Sequence, residues 1–249
     1  MDGTTVTIDP HVHSEGSYDG REPVELLLEH AADIDLDGVV VTDHDAIEES
    51  RRAAELAPEY GLLGIPGVEV STAHGHLLAI GIETRPQRGR PLEATVERVR
   101  ELGGVAIVPH PFQRSRHGVK RRNLTDCDAI EAYNSMVFTG YRNRRAKTFA
   151  TAERYPVVGG SDAHFLPNLG RAHTDIRIDL DGASLDANAI DGGDVVEAIR
   201  EGHTEIRGKR TPIHRSARQY AKGAVRKGTY LATSHMPFLP TLPTSMRDM

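Results

Sequence analysis

Short apolar runs alternate with amphipathic segments from about residue 5 to residue 160, and this alternation most restricts the fold that the chain can adopt. The runs are rich in Val and Ile, and several lack the polar–apolar alternation of half-exposed strands, which is typical of strands covered on both faces. The segments between them place apolar residues on one face at helical spacing. Strands connected by helices in this way indicate an α/β fold with parallel strands.

Seven segments are predicted to be strands: Thr5–Ile8, Gly38–Thr42, Leu63–Glu69, His76–Ile82, Val105–Val108, Ala129–Tyr133 and Val157–Gly159. Four are predicted to be helices: Glu22–Ala32, Ile47–Glu59, Leu92–Leu102 and Thr139–Arg154. The Asp- and Gly-rich stretch Asp179–Asp194 is predicted to be a surface loop. Seven strand–helix units are too few for a full eight-stranded barrel of about 250 residues, but they suit a shortened barrel.

Charge divides the 249-residue chain near residue 206. Residues 1–206 contain 21 Lys and Arg against 35 Asp and Glu, whereas residues 207–249 contain nine against one. We therefore expect a domain over residues 1–206 and a basic C-terminal tail over residues 207–249, helical at first and then irregular. Such a tail suits phosphate contacts with nucleic acid. A terminal helix packed on the acidic body explains the same charges and is the favoured alternative.

One cysteine, Cys127, stands against 13 histidines. A single cysteine excludes an internal disulfide and a cysteine-type structural zinc site, so that any bound metal must use imidazole and carboxylate ligands. No apolar stretch reaches the roughly 18 residues that indicate a membrane helix, and the N-terminus lacks the pattern of a signal peptide. We therefore expect a cytoplasmic protein with no membrane partner.

Residue types that bind metals recur where the predicted strands end. In an α/β barrel the functional side chains project from the carboxyl ends of the strands. The residues at these positions are His11, His13, Asp19, Asp43, His44, Glu69, His74, His76, His110, Asp162 and His164. Residues i and i+2 of an extended chain share a face, so that His11 and His13 can bind one ion.

This accumulation of polar groups beside a core is unfavourable unless the groups are satisfied. We therefore expect a multinuclear site for divalent ions. Imidazole and carboxylate ligands without thiolates indicate Zn, Mn or Fe. Such ions lower the pKa of bound water and stabilise the oxygens of a phosphoester, which favours hydrolysis as the reaction.

The motifs HVHSEGSYDG, VTDHD, GVE, HLLAIGI, PHP and GSDAH occur in this order over roughly residues 7–175. In this order they resemble the successive motifs of the PHP (polymerase and histidinol phosphatase) family. The resemblance implies a distorted (β/α)7 barrel, similar to a TIM barrel, with three divalent metal ions at the carboxyl ends of the strands. It also implies hydrolysis of a small phosphate monoester by a hydroxide that bridges two of the ions.

The resemblance also implies a ligand set. The first ion would be held by His11, His13, Glu69 and Asp162, the second by Glu69, His76 and His110, and the third by Asp19, His44 and His164. Many family members have His where this chain has Asp19. Only the resemblance selects His76 over the neighbouring His74. Asp43 is expected to orient an imidazole or a water rather than to bind metal.

A basic segment, HPFQRSRHGVKRR, begins at His110. Similar PHP phosphatases have an Arg-His pair near this place, and Arg116 and His117 would bind the substrate phosphate through charge-assisted hydrogen bonds. Together with Glu69 and Asp162 they form the predicted catalytic set. A solvated basic loop is the alternative explanation of the same residues.

Two other functions are compatible with the sequence. One is a nuclease or nucleotide phosphatase that acts on RNA or DNA ends. Family members of this kind commonly insert a sizeable domain between the glutamate and aspartate motifs, whereas here Glu69 to His110 spans 41 positions and His110 to Asp162 spans 52. The other is a scaffold without activity whose basic tail binds nucleic acid. The intact set of ligand types argues against this scaffold.

Overall fold

A computed structural model describes residues 3–113, 117–124, 126–137, 140–179, 190–215, 217 and 221. Arg116 and most of the predicted basic tail lie outside the described residues.

Nine strands and five α-helices form the described part of the chain. The strands are β1 (Gly3–Val12), β2 (Gly38–Val41), β3 (Gly67–Thr72), β4 (Gly75–Ile80), β5 (Val105–Val108), β6 (Ala129–Asn134), β7 (Val157–Gly160), β8 (Ala172–Asp179) and β9 (Thr204–Gly208). The helices are α1 (Val24–Asp33), α2 (Glu48–Leu56), α3 (Leu92–Glu101), α4 (Gly140–Glu153) and α5 (Gly192–Glu201). None of these helices is long and apolar enough to cross a membrane.

The strands form two mixed sheets, with the strand orders β2-β1-β8-β9 and β3-β4-β5-β6-β7. The pairs β1–β2, β5–β6 and β6–β7 are parallel, as predicted. The pairs β1–β8, β3–β4, β4–β5 and β8–β9 are antiparallel. The prediction of parallel strands throughout is therefore wrong, because β3 and β4 are joined by a tight turn at Ala73 and His74 rather than by a helix.

The α/β class is confirmed, but the described strands form two sheets rather than the single distorted (β/α)7 barrel that was predicted. The two sheets meet at isolated bridges, which pair Val12 with Ala163, Gly38 with Leu63, and His44 with Glu69. Three of the antiparallel strands, β4, β8 and β9, interrupt the repeated strand–helix order that a (β/α)7 barrel needs.

Helices cover the sheets through the faces that the sequence predicts. The helix α1 buries Val24, Leu27, Leu28 and Ala31. The strands β4 and β5 are buried along their whole length, which agrees with their continuous apolar sequences. The sheets and the helices that pack on them thus hold the loops at the strand ends on a rigid frame.

Three elements follow β7 that the sequence analysis did not predict: β8, α5 and β9. The helix α5 begins inside the predicted Asp179–Asp194 loop, because the side chain of Asp191 accepts hydrogen bonds from the backbone N–H groups of Gly193 and Asp194. The strand β9 continues two residues past the predicted boundary at residue 206.

One buried hydroxyl connects the two sheets. The Thr174 hydroxyl on β8 accepts from the Gly159 N–H on β7 at 2.9 Å and donates to the Gly159 carbonyl at 2.9 Å. Because Gly159 lies three residues before Asp162, this contact also fixes the chain that leads to Asp162.

Thr174→Val keeps the shape of the side chain but removes both hydrogen bonds to Gly159. We expect it to lower the free energy of unfolding by about 2–4 kcal/mol. Urea unfolding checks this, with Thr5→Val, an exposed position on β1, as the control that stays within about 0.5 kcal/mol of the wild type. Equal stability of the two variants would contradict the account.

Candidate metal centre

The buried carboxylate of Glu69, on β3, is surrounded by imidazoles. Its Oε1 lies 2.6 Å from His76 Nδ1 and 3.1 Å from His110 Nε2. Its Oε2 lies 2.9 Å from His44 Nδ1 and 3.4 Å from His13 Nε2. The carboxylate is 1% exposed, so that these neighbours replace water around it.

Two further carboxylates extend the cluster. Asp162 Oδ1 lies 3.5 Å from His13 Nε2 and 3.6 Å from both His11 Nε2 and His164 Nδ1. Asp19 Oδ2 lies 3.0 Å from His164 Nε2. The cluster is therefore continuous from β1 to the loop that follows β7.

The ligand atoms fall into four overlapping groups, in each of which all atoms lie within 4.8 Å of one another. The groups are His13, Asp19, His44 and His164; His11, Glu69 and His110; His11, His13 and Asp162; and His44, Glu69 and His76. The structure thus brings together all nine residues that the resemblance assigns as ligands. Their division among individual ions stays a prediction.

The chemistry of the cluster fits divalent metal ions. Among the described residues, the buried atoms His11 Nε2, His13 Nδ1 and His110 Nδ1 have no hydrogen-bond partner. Buried polar atoms are rarely left in this state, and neutral imidazole nitrogens are common metal ligands.

Two groups of the cluster have pKa values that suit metal binding. Burial, together with the neighbouring His164 and His44, lowers the pKa of His13 to about 3. Burial opposes ionisation of Asp162, but His11 and the other imidazoles hold the pKa of that carboxyl well below its usual range. A neutral imidazole and an ionised carboxylate are the forms that bind metal.

Two site residues have backbone in the left-handed region, which non-glycine residues rarely adopt. The φ angle is 31° at His110 and 54° at Asp162. Hydrogen bonds hold these conformations, since the Asp162 N–H donates to the His11 carbonyl at 2.8 Å and the His110 N–H donates to Glu131 Oε2 at 2.7 Å. Strain retained in this way is typical of functional sites.

Glu131 and Asn134, on β6, position the cluster although the sequence analysis left them out of the ligand set. Glu131 Oε1 lies 2.9 Å from His11 Nδ1. The Asn134 amide donates to Glu131 Oε2 at 3.0 Å and to Asp162 Oδ2 at 3.1 Å. A carboxylate on the second nitrogen of a metal-binding imidazole orients the ring and raises its basicity.

Asp43 contacts a different group from the one expected. Its Oδ1 accepts from the Ser14 N–H at 2.7 Å, and its Oδ2 contacts the Ser14 hydroxyl. Burial raises the pKa of Asp43 to about 7. Asp43 thus fixes the turn after His13, and no described hydrogen bond joins its carboxylate to an imidazole.

The structure separates His76 from His74. His76 is buried beside Glu69, whereas His74 is exposed and its Nδ1 accepts from the Leu92 N–H at 3.3 Å. His117 lies at the edge of the cluster, with its ring centroid 4.5 Å from that of His76. Burial and the neighbouring His76 together lower the pKa of His117 to about 3.

Both the sequence and the fold are similar to those of known proteins. Residues 140–204, which include Asp162 and His164, match the family model described as PHP-associated. A two-domain protein of Bacteroides vulgatus that contains a predicted PHP-like metal-dependent phosphoesterase has a similar structure, with a TM-score of 0.60 and 20% identity over 88% of this chain and 70% of that chain. Part of the sequence and the fold thus resemble PHP proteins. The predicted resemblance is therefore confirmed.

Other proteins that are similar to this chain differ in what is known of them. An uncharacterized protein of Methanocaldococcus jannaschii is 27% identical over 149 residues, which cover 55% of this chain and 87% of the relative. The lesion-specific Endonuclease Q of Pyrococcus furiosus has a TM-score of 0.51 and 18% identity over 82% of this chain and 58% of that chain. Endonuclease Q in complex with a 27-mer duplex that has an abasic lesion at the active site has a TM-score of 0.56 and 15% identity, over 83% of this chain and 60% of that chain.

Glu131→Gln tests whether Glu131 positions the His11 imidazole for metal binding. We expect the affinity for Mn²⁺ to fall about 10- to 100-fold, because the amide cannot hold the His11 imidazole as a carboxylate does. Competition with a fluorescent chelator measures this affinity. Glu205→Gln, an exposed change on β9, is the control and should leave it unchanged. An unaltered affinity of Glu131→Gln, with its fold intact, would show that Glu131 plays no part in metal binding.

Proposed function

We propose that this protein is a metal-dependent phosphoesterase that hydrolyses a small phosphate monoester. The buried cluster around Glu69 supports the proposal most directly, because its unpartnered imidazole nitrogens face ionised carboxylates. Bound divalent ions at such a site make a water molecule more acidic and offset the negative charge of a phosphate.

The ligand residues are proposed to hold three divalent ions. Three ions, Zn, Mn or Fe, would be held by His11, His13, Glu69 and Asp162, by Glu69, His76 and His110, and by Asp19, His44 and His164. Glu69 belongs to two of these sets, so that its carboxylate would keep two ions close together. Glu131 and Asn134 hold the imidazole and carboxylate ligands at fixed angles.

Two residues are proposed to bind the substrate phosphate. The neutral imidazole of His117, beside His76, can donate a hydrogen bond to a phosphate oxygen. Arg116, the preceding residue, supplies a guanidinium group suited to bidentate phosphate binding. The acidic composition of residues 1–206 makes such cations necessary for an anionic substrate.

A nuclease that acts on nucleic-acid ends is the second candidate. Its support is the similarity in fold to Endonuclease Q, one structure of which holds a DNA duplex at its active site. The chain spans only about 60% of those proteins. Phosphoryl transfer to water is common to both candidates.

His76→Ala and His74→Ala form a matched pair that tests the proposal. With Mn²⁺ or Zn²⁺, we expect the wild type and His74→Ala to release phosphate from members of a monoester panel. His76→Ala should lower kcat/KM about 100-fold or more, since it removes a ligand rather than a positioning group. Phosphate release measured by a colorimetric assay checks this result.

A parallel assay with single-stranded RNA and DNA distinguishes the two candidates. Nucleotide release from these substrates without monoester hydrolysis would favour the nuclease. Absence of any hydrolysis by the wild type with either metal, or equal activity of His76→Ala and His74→Ala, would contradict the proposed function.

A further inference from the structure

A second concave site lies on the surface formed by α4 and the connection between β5 and β6. Its volume is about 530 Å³. The residues that give it its chemistry, which we call the arginine–aromatic cleft, are Phe112, Arg121, Tyr141, Arg144, Arg145 and Phe149. None of them belongs to the metal cluster.

Aromatic rings and guanidinium groups interleave along this cleft. The rings of Phe112 and Phe149 pack edge to face with centroids 5.3 Å apart. The guanidinium carbon of Arg145 lies 4.8 Å from the Phe112 centroid, and that of Arg121 lies 5.5 Å from the Phe149 centroid. Tyr141, at the first turn of α4, is 62% exposed, which leaves most of its surface accessible to a ligand.

The cleft is positively charged in an otherwise acidic body. Residues 114–147 contain nine Lys and Arg against three Asp and Glu, although the whole chain has a net charge of −6. Within the described residues, neither Arg144 nor Arg145 forms an ion pair, and Glu153 is the only acidic residue that lines the cleft. Glu153 lies 3.6 Å from Arg121 and offsets one of the three arginines.

The same stretch of chain contributes to the cleft and to the metal centre. His110 contacts Glu69, and His117 packs against His76. Phe112 and Arg121, on the same connection, line the cleft. A ligand in the cleft therefore contacts the connection that presents the predicted phosphate-binding residues.

We infer that the arginine–aromatic cleft binds single-stranded nucleic acid. An unpaired base stacks on Tyr141, and the adjoining phosphates contact Arg144 and Arg121. An acidic peptide would use the arginines but offers planar rings only at its aromatic residues, whereas every nucleotide offers a base beside a phosphate, which is why the observations favour nucleic acid. The inference rests on the proposed function in one respect: the terminal phosphate of the bound strand, which is a monoester, would be the group that reaches the metal centre.

Fluorescence anisotropy with a labelled single-stranded oligothymidylate 12-mer tests this inference. The measurement is made with excess chelator, so that no strand is cleaved. We expect Tyr141→Ala to weaken binding about 5- to 100-fold and Tyr141→Phe, which keeps the ring, to remain near the wild type. Arg144→Ala should weaken binding and lower the slope of log affinity against log salt by about 0.7. Arg177→Ala, an exposed change on β8, is the control.

Two results would overturn the inference. One is a wild type that does not bind the strand, or binding that Tyr141→Ala leaves unchanged. The other is competition by polyphosphate as effective as that by unlabelled strand, which would show that charge alone accounts for binding.

Monoester hydrolysis, measured separately, should be the same in Tyr141→Ala and wild type. A wild type that hydrolyses monoesters but does not bind the strand would refute the cleft alone, and a wild type that binds the strand but hydrolyses no monoester would refute the proposed function alone.

Discussion

The negative charge buried at Glu69 is the constraint on which the rest of the site depends. A carboxylate removed from water is costly by several kcal/mol unless other charges or hydrogen bonds replace its hydration. Here four imidazoles lie 2.6–3.4 Å from its two oxygens. Those imidazoles come from four different parts of the chain, so that the fold must bring their elements together around β3.

The segments that contribute these imidazoles meet where the two sheets join. The bridge between His44 and Glu69 joins β3 to the loop after β2, and the bridge between Val12 and Ala163 places the end of β1 beside the loop after β7. Ligand residues flank both bridges. The cluster thus spans the boundary between the sheets, and bound cations would hold that boundary together by neutralising the carboxylates on either side.

Several parts of this arrangement could be predicted from the sequence because each depends on local signals. The apolar run Val105–Val108 is a strand with the predicted bounds, and the helix over residues 92–102 ends within one residue of its predicted end. The nine predicted ligand residues lie beside apolar runs of the sequence, which places them at the ends of strands. The direction of β8 depends on pairing with β1, which is distant in sequence, so that it left no local signal. The antiparallel direction of β4 follows from the short turn after β3, which the sequence analysis did not recognise.

The positioning residues were harder to predict than the ligands. Glu131 follows an apolar run on β6, where period-two alternation would equally allow a side chain that faces the core or one that faces the site. Only the packing of β6 between β5 and β7 brings its carboxylate within reach of the His11 ring and the His110 backbone. Asp43 likewise has a partner, Ser14, that is 29 positions away in the sequence.

The metal content of Glu69→Gln tests the central claim most directly. Wild type, Glu69→Gln and the control Glu205→Gln are loaded with Mn²⁺ or Zn²⁺, freed of excess metal, and analysed by inductively coupled plasma mass spectrometry. The account predicts three ions per chain in the wild type and the control, and the loss of at least two in Glu69→Gln. A wild type that retains less than one ion per chain, or a folded Glu69→Gln with unchanged metal content, would contradict it.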